Sequence, residues 1–280
     1  MTPSDEPANK PYLILTGIPR SGTTLAASLV DRLENTVCLN EPIQYYLWAT
    51  AAKDQAAFVE KLTAELKMIR ARLVNGETVM DSREYDGSIP TNYFDERGQR
   101  LKPHYFPVSR PNAGEKLLLA VKHNEPLTSV LPELCRLNDL NVAVMVRHPI
   151  PTILSWQSRS IPLSTGQLTV GYRLWPEATA VSNEEISVYD IQAKIYELYC
   201  KRFHEYEDRV TVIKYEDLVE CPAGVLKRLT GRELGGEHAL ETRNRTRSNT
   251  RDNERLPDIR QAMTRHFKYA YCFYPNLDSW

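Results

Sequence analysis

The stretch LILTGIPRSGTTL, residues 13–25, constrains the fold of this 280-residue chain more than any other segment. An apolar run leads into Gly17, a short turn closes at Gly22, and an amphipathic run opens at Thr23. Strand, glycine-rich turn and helix in that order form a cradle for an anion. The glycines permit a tight backbone, the amides from Arg20 to Thr24 converge, and the helix N-terminus adds positive potential.

Elsewhere, short runs rich in β-branched residues alternate with longer amphipathic ones, which predicts an α/β protein with a largely parallel sheet flanked by helices. Strands are expected at Tyr12–Thr16, Thr36–Cys38, Leu117–Val121, Val142–Val146 and Val210–Ile213, all but the second reading as buried. Helices are expected over Thr23–Glu34, Gln55–Leu73, Pro126–Leu137, Pro149–Gln157 and Ile186–Tyr206. Two stretches, Asp81–Gly114 and Ser160–Asn183, carry no regular pattern and are expected to be lids or pocket walls. Residues 1–10 read as a disordered N-terminus and 11–280 as a single domain.

With 35 Lys+Arg against 36 Asp+Glu the formal charge is −1, so no global field draws the chain to nucleic acid or to an anionic membrane. Any anion site must be local. The first twenty residues lack a secretory pattern, and no stretch approaches the roughly 20 apolar residues of a membrane span, so a cytoplasmic location is expected. The cysteines, Cys38, Cys135, Cys200, Cys221 and Cys272, are odd in number and show no metal-ligand spacing. They are expected to be reduced thiols, mostly in the core, and no metal site is expected.

Against the triphosphatase pattern GxxxxGK[ST], Gly17, Gly22 and Thr24 align, but Thr23 stands where the lysine belongs and Arg20 supplies the cation. The buried strand VAVMV ends in Arg147, not in an acid that would hold magnesium. The ligand is therefore expected to be a phosphate ester that needs no metal. Eight residues after Arg147, Ser155 lies on the following helix, and a guanidinium with a hydroxyl suits a terminal phosphate. Ligands of parallel sheets sit beyond the carboxyl ends of the strands, so both anion sites should share one edge. A nucleotide with separate 5′ and 3′ phosphates fits two such sites.

These residues resemble the sulfotransferase family that uses 3′-phosphoadenosine 5′-phosphosulfate, in its soluble bacterial form. PRSGTT at 19–24 is similar to its 5′-phosphosulfate loop, Arg147 with Ser155 to its 3′-phosphate pair, KYEDL at 214–218 to its strand-end signature, and NEP at 40–42 to an acidic turn of many bacterial members. The resemblance implies a P-loop-like α/β core. It implies that Arg20, Ser21, Gly22, Thr23 and Thr24 hold the phosphosulfate, Arg147 and Ser155 the 3′ phosphate, and that Tyr215 approaches the adenine. Glu41 is the first candidate for the base, His123 the second, and Lys122 a support for either charge.

Two motifs depart from the family pattern. Where cytosolic members carry Lys-Thr-His, this chain has VKHN, and in place of their Arg-Lys-Gly loop it has RNRTRSNTR, with Arg247 as the candidate phosphate contact. The aromatic stretch Tyr85–Phe106 and the loop around Trp175 suggest apolar pocket walls and a small-molecule acceptor. A small-molecule or nucleoside kinase and a non-catalytic nucleotide-binding protein stay open as alternatives. Oligomeric state is not legible.

Overall fold

The computed structural model describes residues 10–90, 101–235, 240 and 250–277. Its strands are β1 (Tyr12–Gly17), β2 (Thr36–Asn40), β3 (Val79–Ser82), β4 (Tyr105–Val108), β5 (Leu118–Lys122), β6 (Leu140–Val146) and β7 (Thr211–Lys214). Its helices are α1 (Thr23–Asp31), α2 (Ile43–Ala51), α3 (Gln55–Val74), α4 (Glu125–Ser129), α5 (Leu131–Leu134), α6 (Pro149–Gln157), α7 (Pro176–Ser182), α8 (Val188–Glu205), α9 (Tyr215–Glu220), α10 (Pro222–Thr230), α11 (Thr250–His266) and α12 (Ala270–Phe273).

Five strands form one parallel sheet in the order β2-β5-β1-β6-β7, and β3 pairs with β4 in a separate antiparallel ribbon. The α/β class expected from the sequence, with helices around a parallel P-loop-like sheet, is the fold observed. Strand alternation builds a core on each face. Ile14, Val121, Val142, Val144 and Val146 pack among the helices of one side. Their neighbours Leu13, Leu15, Ala120, Ala143 and Met145 meet Ala26, Leu29 and Val30 of α1 and Leu226 of α10 on the other. With period 2 and both faces covered, such strands read as continuous apolar runs.

The chain leaves β1 toward β2 on one side and later crosses to β6 and β7 on the other. That reversal opens a crevice between the carboxyl ends of β1 and β6, where α/β folds bind ligands. Gly17 and Met145 are register partners at that spot. A Cβ on Gly17 would lie 2.5 Å from the Met145 carbonyl oxygen, so only glycine lets the two strands run this close.

Several sequence expectations are corrected. β2 is fully buried and runs two residues longer than predicted. The helix expected over Pro126–Leu137 is two short helices, because Pro132 has no N–H for the carbonyl one turn back. α8 starts at Val188 and not at Ile186, where the Ser187 side chain caps it by accepting from the Asp190 N–H. The first helix ends at Asp31. The stretch Asp81–Gly114 contributes β4 and part of β3, and Ser160–Asn183 contributes α7 and two 3-10 turns. Trp175 is 1% exposed beneath the Arg202 guanidinium, 3.8 Å from its ring centre, so it belongs to the core and not to a pocket wall. Cys38, Cys135 and Cys200 are buried free thiols, and Cys221 and Cys272 are exposed ones. No helix among the described residues is long and apolar enough to cross a membrane.

Candidate active site

The turn after β1 is held from three sides. The Ile18 N–H and the Ser21 hydroxyl both donate to the Met145 carbonyl, at 3.0 and 3.1 Å, which ties the turn to the end of β6. The Trp156 indole N–H of α6 donates to the Pro19 carbonyl at 2.7 Å. The Ser21 N–H closes back on Ile18 at 3.0 Å. Ser21 thus spends its N–H and its hydroxyl on shaping the turn, and its side chain is fully buried.

Arg20 lies in the left-handed region at φ 71°, as does Gly22 at φ 92°. A non-glycine residue there costs about 1–2 kcal/mol, a strain kept where geometry is imposed from outside. Thr23 and Thr24 open α1, whose first amides face the turn. The N-cap residue, Gly22, has no side chain to cap this helix start, whose dipole points its positive end at the turn.

Arg147 and Ser155 stand at the same edge and join the turn directly. Arg20 Nε donates to Ser155 Oγ at 3.1 Å, and Arg147 Nη1 donates to the Arg20 carbonyl at 3.1 Å. The Arg147 carbonyl in turn accepts from the Tyr196 hydroxyl of α8 at 2.6 Å. The Arg147 guanidinium carbon sits 4.6 Å from the Tyr215 ring centre, a cation–π contact that orients it. Tyr215, the first residue of α9, is 4% exposed and packs its ring against Gly22. His148, which follows Arg147 in the chain, is buried against the Tyr274 ring. Burial pushes its imidazole down to about 4, with Glu216 opposing and Arg260 and Arg147 adding to the effect.

On the other side of the turn the end of β5 meets the end of β2. Lys122, 1% exposed, donates from Nζ to Glu41 Oε1 at 2.5 Å and to Thr24 Oγ1 at 3.2 Å. One buried ammonium therefore bridges the candidate base and the first turn of α1. A buried cation of this kind persists only when it is paired. Glu41 extends the strand register by donating its N–H to the Lys122 carbonyl at 2.8 Å, yet its own φ is 51°. Its side chain is 23% exposed, so it is not sealed from solvent as Lys122 is.

The structure thus gathers Arg20, Ser21, Gly22, Thr23, Thr24, Arg147, Ser155, Tyr215 and Glu41 around one crevice. His123 is buried, its N–H donating to the Leu15 carbonyl at 3.1 Å, and the group found on Glu41 is its neighbour Lys122. Arg247 lies outside the described residues. Nothing in the sequence marks Trp156 and Tyr196, which brace the turn and Arg147. Their aromatic character reads there as ordinary core.

The sulfotransferase family model matches residues 11–232 of the chain. Among solved structures, the sulfotransferase domain of the Synechococcus PCC 7002 olefin synthase is 14% identical, over 96% of this chain and 98% of that domain, with a TM-score of 0.39. The sulfotransferase STF1 of Mycobacterium tuberculosis is 15% identical, over 92% of this chain and 72% of that one, with a TM-score of 0.35. No protein of curated function matches in sequence.

Proposed function

We propose, on the premise that this chain belongs to the sulfotransferase family, that it transfers a sulfuryl group from 3′-phosphoadenosine 5′-phosphosulfate to a hydroxyl or amine of a small-molecule acceptor, releasing adenosine 3′,5′-bisphosphate. The observation that carries this reading is the hydrogen-bonded unit of Arg147, Arg20 and Ser155, which makes the two predicted anion sites neighbours. A ligand with a phosphate at each end suits that unit. Arg147 and Ser155 would take the 3′ phosphate, and the amides at the start of α1 with Arg20, Thr23 and Thr24 the phosphosulfate.

Attack is in line, by analogy with phosphoryl transfer. The acceptor oxygen forms the new bond to sulfur as its proton passes to Glu41, while the bond from sulfur to the bridging oxygen breaks and its electron pair stays on the departing phosphate. Negative charge grows on that oxygen. Arg20, Lys122 and the amides at the start of α1 would be the donors to it, and one such donor contributes on the order of 3 kcal/mol to a transition state of this type. Ser21 shapes the turn, and Tyr215 buttresses Gly22 and Arg147 beside the nucleotide. The residues at 11–280 act as one domain in this proposal.

Calorimetric titration with adenosine 3′,5′-bisphosphate, set against ATP with magnesium, tests the reading without an identified acceptor. Metal-independent binding of the bisphosphate is expected. Binding of ATP alone, and only with magnesium, would replace the proposal with a kinase.

A further inference from the structure

β2 is an edge strand of the parallel sheet, with β5 on one side, so its other side should present bare backbone groups. Buried charged side chains close it instead. Asp31, the last residue of α1, accepts from the Cys38 N–H at 2.8 Å, Arg83 donates to the Cys38 carbonyl at 2.8 Å, and Asp81 accepts from the Asn40 N–H at 3.0 Å. Arg83, 2% exposed, binds both carboxylates, Asp31 at 2.5 Å and Asp81 at 2.8 Å. Three side chains from α1, β3 and the residue after β3 take the place of a missing strand.

The residue that follows Asn40 is Glu41. Its left-handed backbone is unfavourable for a residue other than glycine and holds only when the chain leading into it is fixed. Two consecutive amides fix that chain, the Asn40 N–H on Asp81 and the Glu41 N–H on the Lys122 carbonyl. A buried ion triad contributes little net stability, because desolvation offsets its attraction. Fixing one strand end in one geometry is a use that fits its cost.

We propose that Asp81 is a positioning residue: aligned by Arg83, its carboxylate fixes the Asn40 amide and thereby holds Glu41 where its carboxylate meets Lys122 and the acceptor. The inference rests on Glu41 being the base. Asp81 acts through the backbone and touches neither substrate.

The test uses the full chain and the variants Asp81→Leu, Asp81→Asn and Glu41→Gln, alone and combined. Asparagine keeps an oxygen for the Asn40 N–H but loses the charge that aligns it, so it should give a milder form of the leucine defect and guards against a leucine variant that fails to fold. Bisphosphate affinity is expected to stay within about threefold of wild type. Turnover, measured as bisphosphate release with 2-naphthol or water as acceptor, is expected to fall roughly 10- to 100-fold for Asp81→Leu, the scale of a misplacement of about 1 Å. In the Glu41→Gln background the same substitution should cost nothing more. Hydrogen exchange, which needs no acceptor, should accelerate at Asn40 and Glu41 while β1 stays protected. Full turnover in Glu41→Gln alone sinks the base reading. A Glu41→Gln defect with an equal Asp81 effect in both backgrounds, or unchanged exchange at Glu41, overturns the positioning role by itself.

Discussion

Replacing Gly22 with alanine tests the coupling between the glycine-rich turn and Arg147. A methyl at this position would lie 2.5 Å from Tyr215 Cδ2 and 3.1 Å from Cε2. The ring cannot yield freely, since it is 4% exposed and carries the Arg147 guanidinium 4.6 Å from its centre. The φ of 92° adds a backbone penalty of about 1 kcal/mol to an overpacking cost of about 1–3 kcal/mol. Together these predict a loss of about 2–4 kcal/mol, or a fall in Tm of roughly 3–7 °C for a chain of this size. Because Arg147 moves with the ring, bisphosphate affinity should drop at least about tenfold, the effect of a degraded charge-assisted contact. Thermal melts and calorimetry of Gly22→Ala, Tyr215→Ala and the double variant separate the contributions. The double variant should lose less than the sum of the single losses, because the smaller side chain removes the clash and leaves only the backbone strain. Strict additivity, or an alanine variant that melts and binds like wild type, would refute the reasoning.

Arg147→Ala should weaken bisphosphate binding by roughly 10- to 100-fold, as expected for lost charge-assisted hydrogen bonds. Turnover at saturating donor should stay within a few fold, and a large loss of turnover with intact affinity would contradict the assignment. His148 gives a pH signature in stability. Its imidazole titrates near 4 in the folded chain against about 6.5 when unfolded, so the unfolded chain binds more protons in that window and stability falls as pH drops through it. His148→Phe should shrink the fall in Tm between pH 7 and pH 5; an undiminished fall would remove His148 as its source.

The parts of this protein legible in the sequence are those that local order dictates. β1, the turn and α1 follow one another without a gap, and glycines at 17 and 22 are needed wherever such a turn stands. Arg147 and Ser155 end a strand and ride the next helix, so their shared edge follows from parallel strand direction. The helix expected over Pro126–Leu137 is an exception, since it divides before Pro132. β4 was hidden by its own Pro107, which breaks a strand pattern and is tolerated in a two-stranded ribbon.

Residue types and spacing determined the fold class, the place of the glycine-rich turn and the identity of most groups around it, because each rests on neighbours close in the chain. Tertiary structure alone decided which charges meet. Lys122 reaches Glu41 across 81 residues of sequence, Arg83 reaches Asp31 across 52, and Ser21 turns inward to a carbonyl 124 residues away. A sequence records that a lysine or an arginine is present but not whether water surrounds it. Burial makes pairing obligatory, and only the packed sheet determines which side chains are buried together.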